Sequence, residues 1–230
     1  MLSSTFRFAW GVVALLLVLT SMARASTFID FNDPSLTGAY FAGDSFSQAG
    51  FLMTQQYDAG TVDTGAALGA VAPTNNTTQF YFNANDGDLL LSRSDGSAFS
   101  LDGFSVAFVP LAESRAPAQT IVIVAYATTM TGDVFGTYFG LGNTESTTGG
   151  SAFLSYADPL DFAPFTNLAS VDFFACALTS SSVCAVATRN NGQFALDNVL
   201  VTAAAVPEPA TFAMMVLGLL TLVLAGRRRR

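Results

Sequence analysis

Phe99-Ser100-Leu101-Asp102-Gly103-Phe104-Ser105-Val106 alternates apolar and polar side chains up to Asp102 and then changes phase. Strand side chains alternate faces with a period of two, so this is strand patterning with a bulge or bend at the aspartate. The same pattern returns as Phe194-Ala195-Leu196-Asp197-Asn198-Val199-Leu200-Val201. Each aspartate is expected at an irregular point of a sheet, with its carboxylate available to backbone amides or a cation.

The rest of the chain between the two ends reads the same way. Helical periodicity is hard to find, while short β-branched or aromatic runs recur. Strands are predicted near Thr27 to Phe31, Gly50 to Gln55, Thr78 to Asn83, Leu89 to Arg93 and Ala98 to Pro110. Others are predicted near Thr120 to Thr128, Val134 to Leu141, Ser170 to Leu178, Val183 to Thr188 and Gln193 to Thr202. Turn signals separate them: Asn85-Asp86-Gly87, Asp95-Gly96, Thr131-Gly132-Asp133 and Asn190-Asn191-Gly192. Gly142 to Gly150 reads as a polar loop, and Ala157 to Asn167, with two prolines, as an irregular crossing. About ten evenly spaced strands define an all-β class, a sandwich or barrel.

Charge excludes several functions. The chain has no lysine or histidine, and all nine basic residues are arginine. Six of those arginines lie in the terminal segments. Arg93, Arg115 and Arg189 remain against 16 acidic residues, a formal balance of −13 between Ser26 and Val206. Such a surface repels phosphate backbones, so no nucleic-acid partner is expected. Without histidine or lysine, Ser-His-Asp triads, Schiff bases and imidazole metal sites are unavailable. A glycosidase needs only two carboxylates. Glu113 and Glu145, however, sit 32 residues apart in loop-like contexts. The chain is therefore read as noncatalytic.

Cys176 and Cys184 bracket the turn-like Thr179-Ser180-Ser181-Ser182. If a hairpin closes at Ser180, the cysteines face each other directly, and a disulfide is expected in an oxidising compartment. Free thiols are the alternative. A loop this short would stabilise by about 2–3 kcal/mol in the chain-entropy model.

Both ends read as targeting segments. Arg7 precedes the apolar run Phe8 to Leu19, and Ala23-Arg24-Ala25 supplies the small residues a signal peptidase needs. Residues 1–25 are thus expected to be a signal peptide cut after Ala25, with a retained anchor as the alternative. At the other end, Val206-Pro207-Glu208-Pro209 precedes 17 apolar or small residues, 210–226, and then Arg227, Arg228, Arg229 and Arg230. That run makes about 25 Å of helix, at the short limit for a membrane span. The arginines should stay cytoplasmic by the positive-inside rule. The prolines keep the junction extended, accessible to a protease. An uncut single-span tail anchor is the alternative.

The VPEP motif, the run ATFAMMVLGLLTLVLAG and the closing RRRR resemble the PEP-CTERM tail of bacterial surface proteins. The resemblance implies recognition by an exosortase-type transpeptidase in a Gram-negative host that makes extracellular polysaccharide. It places an inner-membrane-anchored precursor facing the periplasm, destined for the cell surface or extracellular matrix. The expected organisation is a signal peptide (1–25), a β-sandwich (26–205) and the sorting tail (206–230).

The opening FIDFNDPSLTG and closing FALDNVLV resemble the terminal strands of jelly-roll carbohydrate-binding modules, in which a structural calcium ties those strands together. The resemblance implies a jelly-roll-type β-sandwich and a calcium held by Asp30 and Asp197, with Asp33 a weaker candidate. Asp30 capping a turn and Asp197 accepting backbone amides are the alternatives. Glycan binding would follow from the same resemblance, but the one tryptophan, Trp10, leaves with the signal peptide. Tyr40, Tyr57, Tyr81, Tyr126, Tyr138 and Tyr156 remain as stacking surfaces, Tyr81 lying in the clearest strand. Polysaccharide is the expected partner, as matrix contact or as a specific ligand; a carboxylate-only glycosidase is a third reading.

Overall fold

A computed structural model of the chain describes residues 26–110, 120–141, 151–178, 184–186, 192–204 and 218. Residues 25–204 form one compact unit; residues 1–24 and 205–230 group as a second, in which only Gly218 is described.

Among the described residues the fold is all-β, with two four-residue helices and two single 3-10 turns. The strands are β1 (Ser26–Ile29), β2 (Gly38–Phe41), β3 (Ser45–Gln48), β4 (Phe51–Thr64), β5 (Gln79–Arg93) and β6 (Phe99–Phe108). They continue as β7 (Thr120–Thr129), β8 (Val134–Gly140), β9 (Leu154–Tyr156), β10 (Leu168–Leu178), β11 (Cys184–Val186) and β12 (Phe194–Ala203). Helix α1 (Gly65–Leu68) follows β4, and α2 (Pro159–Phe162) lies in the crossing before β10.

Two layers result. One carries β12 paired to β1, to β6 and to the first part of β5. The other runs from β4 through the second part of β5 to β10, β7 and β8. Leu89, Leu91 and Phe173 of this second layer meet Ile29, Leu196 and Val199 of the first. Phe104 from β6 is ringed by Phe139, Phe162 and Phe173, all in edge-on contact. Each buried phenylalanine contributes roughly 2–3 kcal/mol of burial, which explains why most of them are interior.

β4 and β5 serve both layers by bending. Their register shifts at Gln55/Tyr57 and Tyr57/Ala59, and Asp58, Asn85 and Asp86 adopt positive φ. This corrects the turn expected at Asn85-Asp86-Gly87 between two separate strands. Residues that tolerate the left-handed region serve a bulge as readily as a turn. Two predicted strands are one strand of 15 residues. Inside the bend, Gln55, Tyr81 and Asn83 form a buried polar network. The Tyr81 hydroxyl donates to Gln55 Oε1, Gln55 Nε2 to the Tyr57 carbonyl at 2.6 Å, and Asn83 Nδ2 to the Gly87 carbonyl. Gly87 admits this network because a Cβ there would lie 2.5 Å from the Tyr57 carbonyl oxygen.

The phase switch read from the two echoing segments is a bulge. They are β6 and β12, and they pair with each other. The register slips just after Asp197, where Asn198 has φ +49°, and returns to its original alignment at Val201. β2, β3 and β9 were not expected as strands.

Candidate functional site

The predicted calcium residues fall where the chain's two terminal strands meet. β1 and β12 pair from Ser26↔Thr202 to Ile29↔Val199, which sets Asp30 close enough to Asp197 to repel it. Asp197 is 1% exposed. Its Oδ2 accepts from Asn76 Nδ2 at 2.7 Å and Asn198 Nδ2 at 3.2 Å, and its Oδ1 from the Asn198 amide at 2.7 Å. Desolvation pushes its carboxyl up to about 6 against these donors. Asp30 Oδ1 accepts from Gln48 Nε2 at 2.7 Å and the Asn32 amide at 3.2 Å; its Oδ2 accepts from Asn32 Nδ2 at 3.1 Å. For Asp30 desolvation is the largest single influence and acts upward, yet the Asn32 and Gln48 donors together hold it below the ordinary carboxylate range. Asp33 has other work: its Oδ1 accepts from the Ser35 amide at 2.9 Å and caps the 3-10 turn Pro34–Leu36.

The seam's donor chemistry suits a hard cation, which takes oxygen ligands. Two carboxylates stand together, and Gln79, whose amide donates to Asn32 Oδ1, has a buried Oε1 with no hydrogen-bond partner. Calcium entering here would displace amide donors from Asp30 and Asp197. Among the described residues no group of three or more Cys, Asp or Glu side chains could hold a metal ion.

A second cluster escapes motif reading. Asp88 lies opposite Tyr57, and Asp172 lies between Leu90 and Tyr126. Phe174 pairs with Val124, and Val124 with Tyr138. Alternation puts these side chains on the face opposite the buried Leu89, Leu91 and Phe173. Tyr57, Tyr126 and Tyr138 are 65%, 40% and 52% exposed. Tyr126 lies over Gly136, where a Cβ would meet its ring at 3.2 Å. Desolvation, then Asp172 and Asp58, push the Asp88 carboxyl up to about 7. Desolvation pushes Asp172 up to about 6, and its Oδ1 is buried without a partner. Tyr81, the strongest stacking candidate from sequence, is fully buried in the bend; Tyr40 donates to the Leu36 carbonyl and Tyr156 to the Gly140 carbonyl.

Cys176 and Cys184 form a disulfide. The register differs from expectation: Cys184 lies opposite Leu178 and Cys176 opposite Val186, so the bridge runs diagonally across β10 and β11. A hairpin closing at Ser180 would have set the two cysteines directly opposite; residues 179–183 lie outside the described residues.

Residues 205–230 match the PEP-CTERM protein-sorting motif. This is the signal of exported, exosortase-processed proteins of Gram-negative bacteria. Its residues Val206 to Pro209 and Arg227 to Arg230 lie outside the described residues, as do Ala23, Ala25, the apolar run 8–19 and, apart from Gly218, the run 210–226. Among the described residues no helix is long and apolar enough to cross a membrane. No curated protein matches the sequence. Among solved structures, the chain is similar to the N-terminal CBM22-1-CBM22-2 tandem domain from Paenibacillus barcinonensis Xyn10C. Identity is 15% and the TM-score 0.34, covering 81% of this chain and 50% of that one. It is also similar to the enzymatically active domain of Bacteriophage CBA120 tailspike protein 4. There identity is 13% and the TM-score 0.28, covering 76% of this chain and 20% of that one. The chain thus spans half or less of either structure, and both superpositions are too loose to decide topology.

Proposed function

We propose that this chain is a noncatalytic component of the cell surface or extracellular matrix, exported by a signal peptide at residues 1–25 and sorted by its C-terminal tail. The observation that carries this reading is the motif at residues 205–230. The apolar run 210–226 holds the precursor in the inner membrane with the β body in the periplasm, and an exosortase-like enzyme cuts near Pro207-Glu208-Pro209. Mass spectrometry of envelope and matrix fractions tests it. The expected product starts at Ser26 and ends near the motif; an intact, Arg-terminated chain in the matrix would exclude processing.

The body is proposed to be a jelly-roll-type β-sandwich, supported by its two layers and by the pairing of β1 with β12. One structural calcium is proposed at that seam, on Asp30 and Asp197. Loading calcium to a hundredfold excess over Kd should stabilise the fold by about 2.7 kcal/mol. A melting temperature that ignores both calcium and chelator would sink the site.

Contact with polysaccharide is the second reading, favoured by three exposed tyrosines on one sheet face. Binding of a purified polysaccharide that weakens in Tyr126→Ala supports it. Asp88 and Asp172 are the pair a carboxylate-only glycosidase would use, so release of reducing sugar from a bound polysaccharide would overturn the noncatalytic reading.

A further inference from the structure

The face that carries Tyr57, Tyr126 and Tyr138 has a charge problem that the described residues leave open. Asp88 sits on β5 and Asp172 on the adjacent β10, near enough for the Asp172 charge to raise the Asp88 carboxyl. Asp58, at the β4 bend, adds to it. Arg93 is the one basic residue among the described residues. It is held by Asp95 through two contacts, 2.9 and 2.6 Å, and lies over the Phe51 ring. No lysine or histidine exists anywhere in the chain. The described part of the protein therefore offers no cation to this pair.

Around the acids lies an aromatic and apolar surface. The register aligns Tyr57 with Asp88 at one end and Tyr138 with Val124 at the other, with Phe174 and Tyr126 between. From β4 to β8 this row crosses five strands, roughly 19 Å at the spacing of hydrogen-bonded strands. A row that long suits a polymer better than a single small molecule. Tyrosines present flat faces with a polar tip, the surface on which a sugar ring stacks.

Resting on the reading of polysaccharide contact, we propose that this face binds an amine-bearing polysaccharide. Its ammonium groups lie against Asp88 and Asp172, and its sugar rings lie on Tyr126, Tyr138 and Tyr57. A neutral glycan would leave the two carboxylates repelling each other, and an acidic one would add to the repulsion. A protonated amine answers both carboxylates at once. The formal balance of −13 across the body draws such a polymer from a distance, while the carboxylate pair and the tyrosines give the contact its place.

The test is affinity electrophoresis of the full-length chain in detergent through gels containing a soluble polyglucosamine, its N-acetylated counterpart, or a polyuronic acid. The amine polymer should bind at least ten-fold more tightly than the acetylated one, and the polyuronic acid should not retard the protein. Asp88→Asn with Asp172→Asn should remove the preference for the amine form. Tyr126→Ala should weaken both. The exposed pair Asp133→Asn with Asp161→Asn changes net charge by the same amount and should leave the preference intact. Equal binding of amine and acetylated polymers would overturn the proposal while leaving polysaccharide contact standing. An equal loss in the exposed-pair variant would reduce the effect to bulk charge and overturn it. No binding to any of the polymers would overturn both.

Discussion

The seam between β1 and β12 and the face of β5, β10 and β7 each bring two aspartates together, and they treat them in opposite ways. At the seam every carboxylate oxygen of Asp30 and Asp197 accepts at least one amide hydrogen, from Asn32, Gln48, Asn76 or Asn198. On the face Asp172 Oδ1 is buried with no partner, and Asp88 is raised by desolvation and then by its acidic neighbours Asp172 and Asp58. The first arrangement fastens β1 to β12. The second leaves a buried acceptor unsatisfied directly beneath the tyrosine face. Buried polar groups without partners are rare in folded proteins, so the unpartnered Asp172 oxygen sets the face pair apart from the fully bonded carboxylates of the seam.

The bend in β4 and β5 is common to both regions, and breaking it should have the largest effect. Gly87→Ala places a Cβ 2.5 Å from the Tyr57 carbonyl oxygen and 2.6 Å from Gln55 Nε2. Backbone and a buried amide cannot both withdraw, so a loss of about 3 kcal/mol is expected. Urea denaturation measures it; a midpoint equal to wild type would show that the bend relaxes freely. Because this strand carries Asp88 on one side and pairs with β12 on the other, both regions should loosen together.

A smaller effect isolates the seam. Asp197→Ala strips the acceptor from Asn76 Nδ2 and from the Asn198 amide in a site closed to water. About 2 kcal/mol should be lost, the usual cost of orphaned buried donors. Asp197→Asn, which retains an oxygen and ends the repulsion with Asp30, should lose less. Both losses are measured in chelator, apart from the proposed calcium; if the two variants are equally destabilised there, the charge of Asp197 matters more than its acceptors.

What could be read from the chain follows the range of each interaction. Strand alternation is local, and the phase switch at Asp197 did mark a bulge in β12. The meeting of Asp30 with Asp197 was expected only through the resemblance to jelly-roll modules, whereas the pairing of Cys176 with Cys184 was legible because the chain has two cysteines on either side of a short turn. Asn85-Asp86-Gly87 misled, since positive φ is permitted there for a hairpin or a bend, and only the distant partners of β5 choose between them. The tyrosine face was hidden for the same reason. Tyr57, Tyr126 and Tyr138 share no motif, and Asp88 and Asp172 are neighbours only through the β5–β10 register. Tyr81, in the most convincing strand, turned inward because the bend needed a hydroxyl for Gln55.

The smallest expected effect separates Asp172 of the face from Asp30 of the seam by pH, Asp197 itself being raised to about 6 like Asp172. On the face, the folded carboxyls of Asp88 and Asp172 sit near 7 and 6, above the value of about 4 for an unfolded chain. A group raised in this way binds more protons folded than unfolded between those values, so stability is fully present below about pH 4 and falls as pH rises toward 7. After discounting for partial exposure, the pair should cost on the order of 1–2 kcal/mol at pH 8 relative to pH 4. Asp172→Asn removes one of the two charges and gives the site a donor. It should raise the melting temperature at pH 8, leave it nearly unchanged at pH 4, and flatten the slope between them. Asp30→Asn at the seam should do the reverse, because Asp30 is held below the ordinary range and its contribution is present above about pH 4 and lost on acidification. Parallel pH slopes for the two variants would show that the face and the seam are electrostatically alike, and the distinction between a fastened pair and an open one would fall.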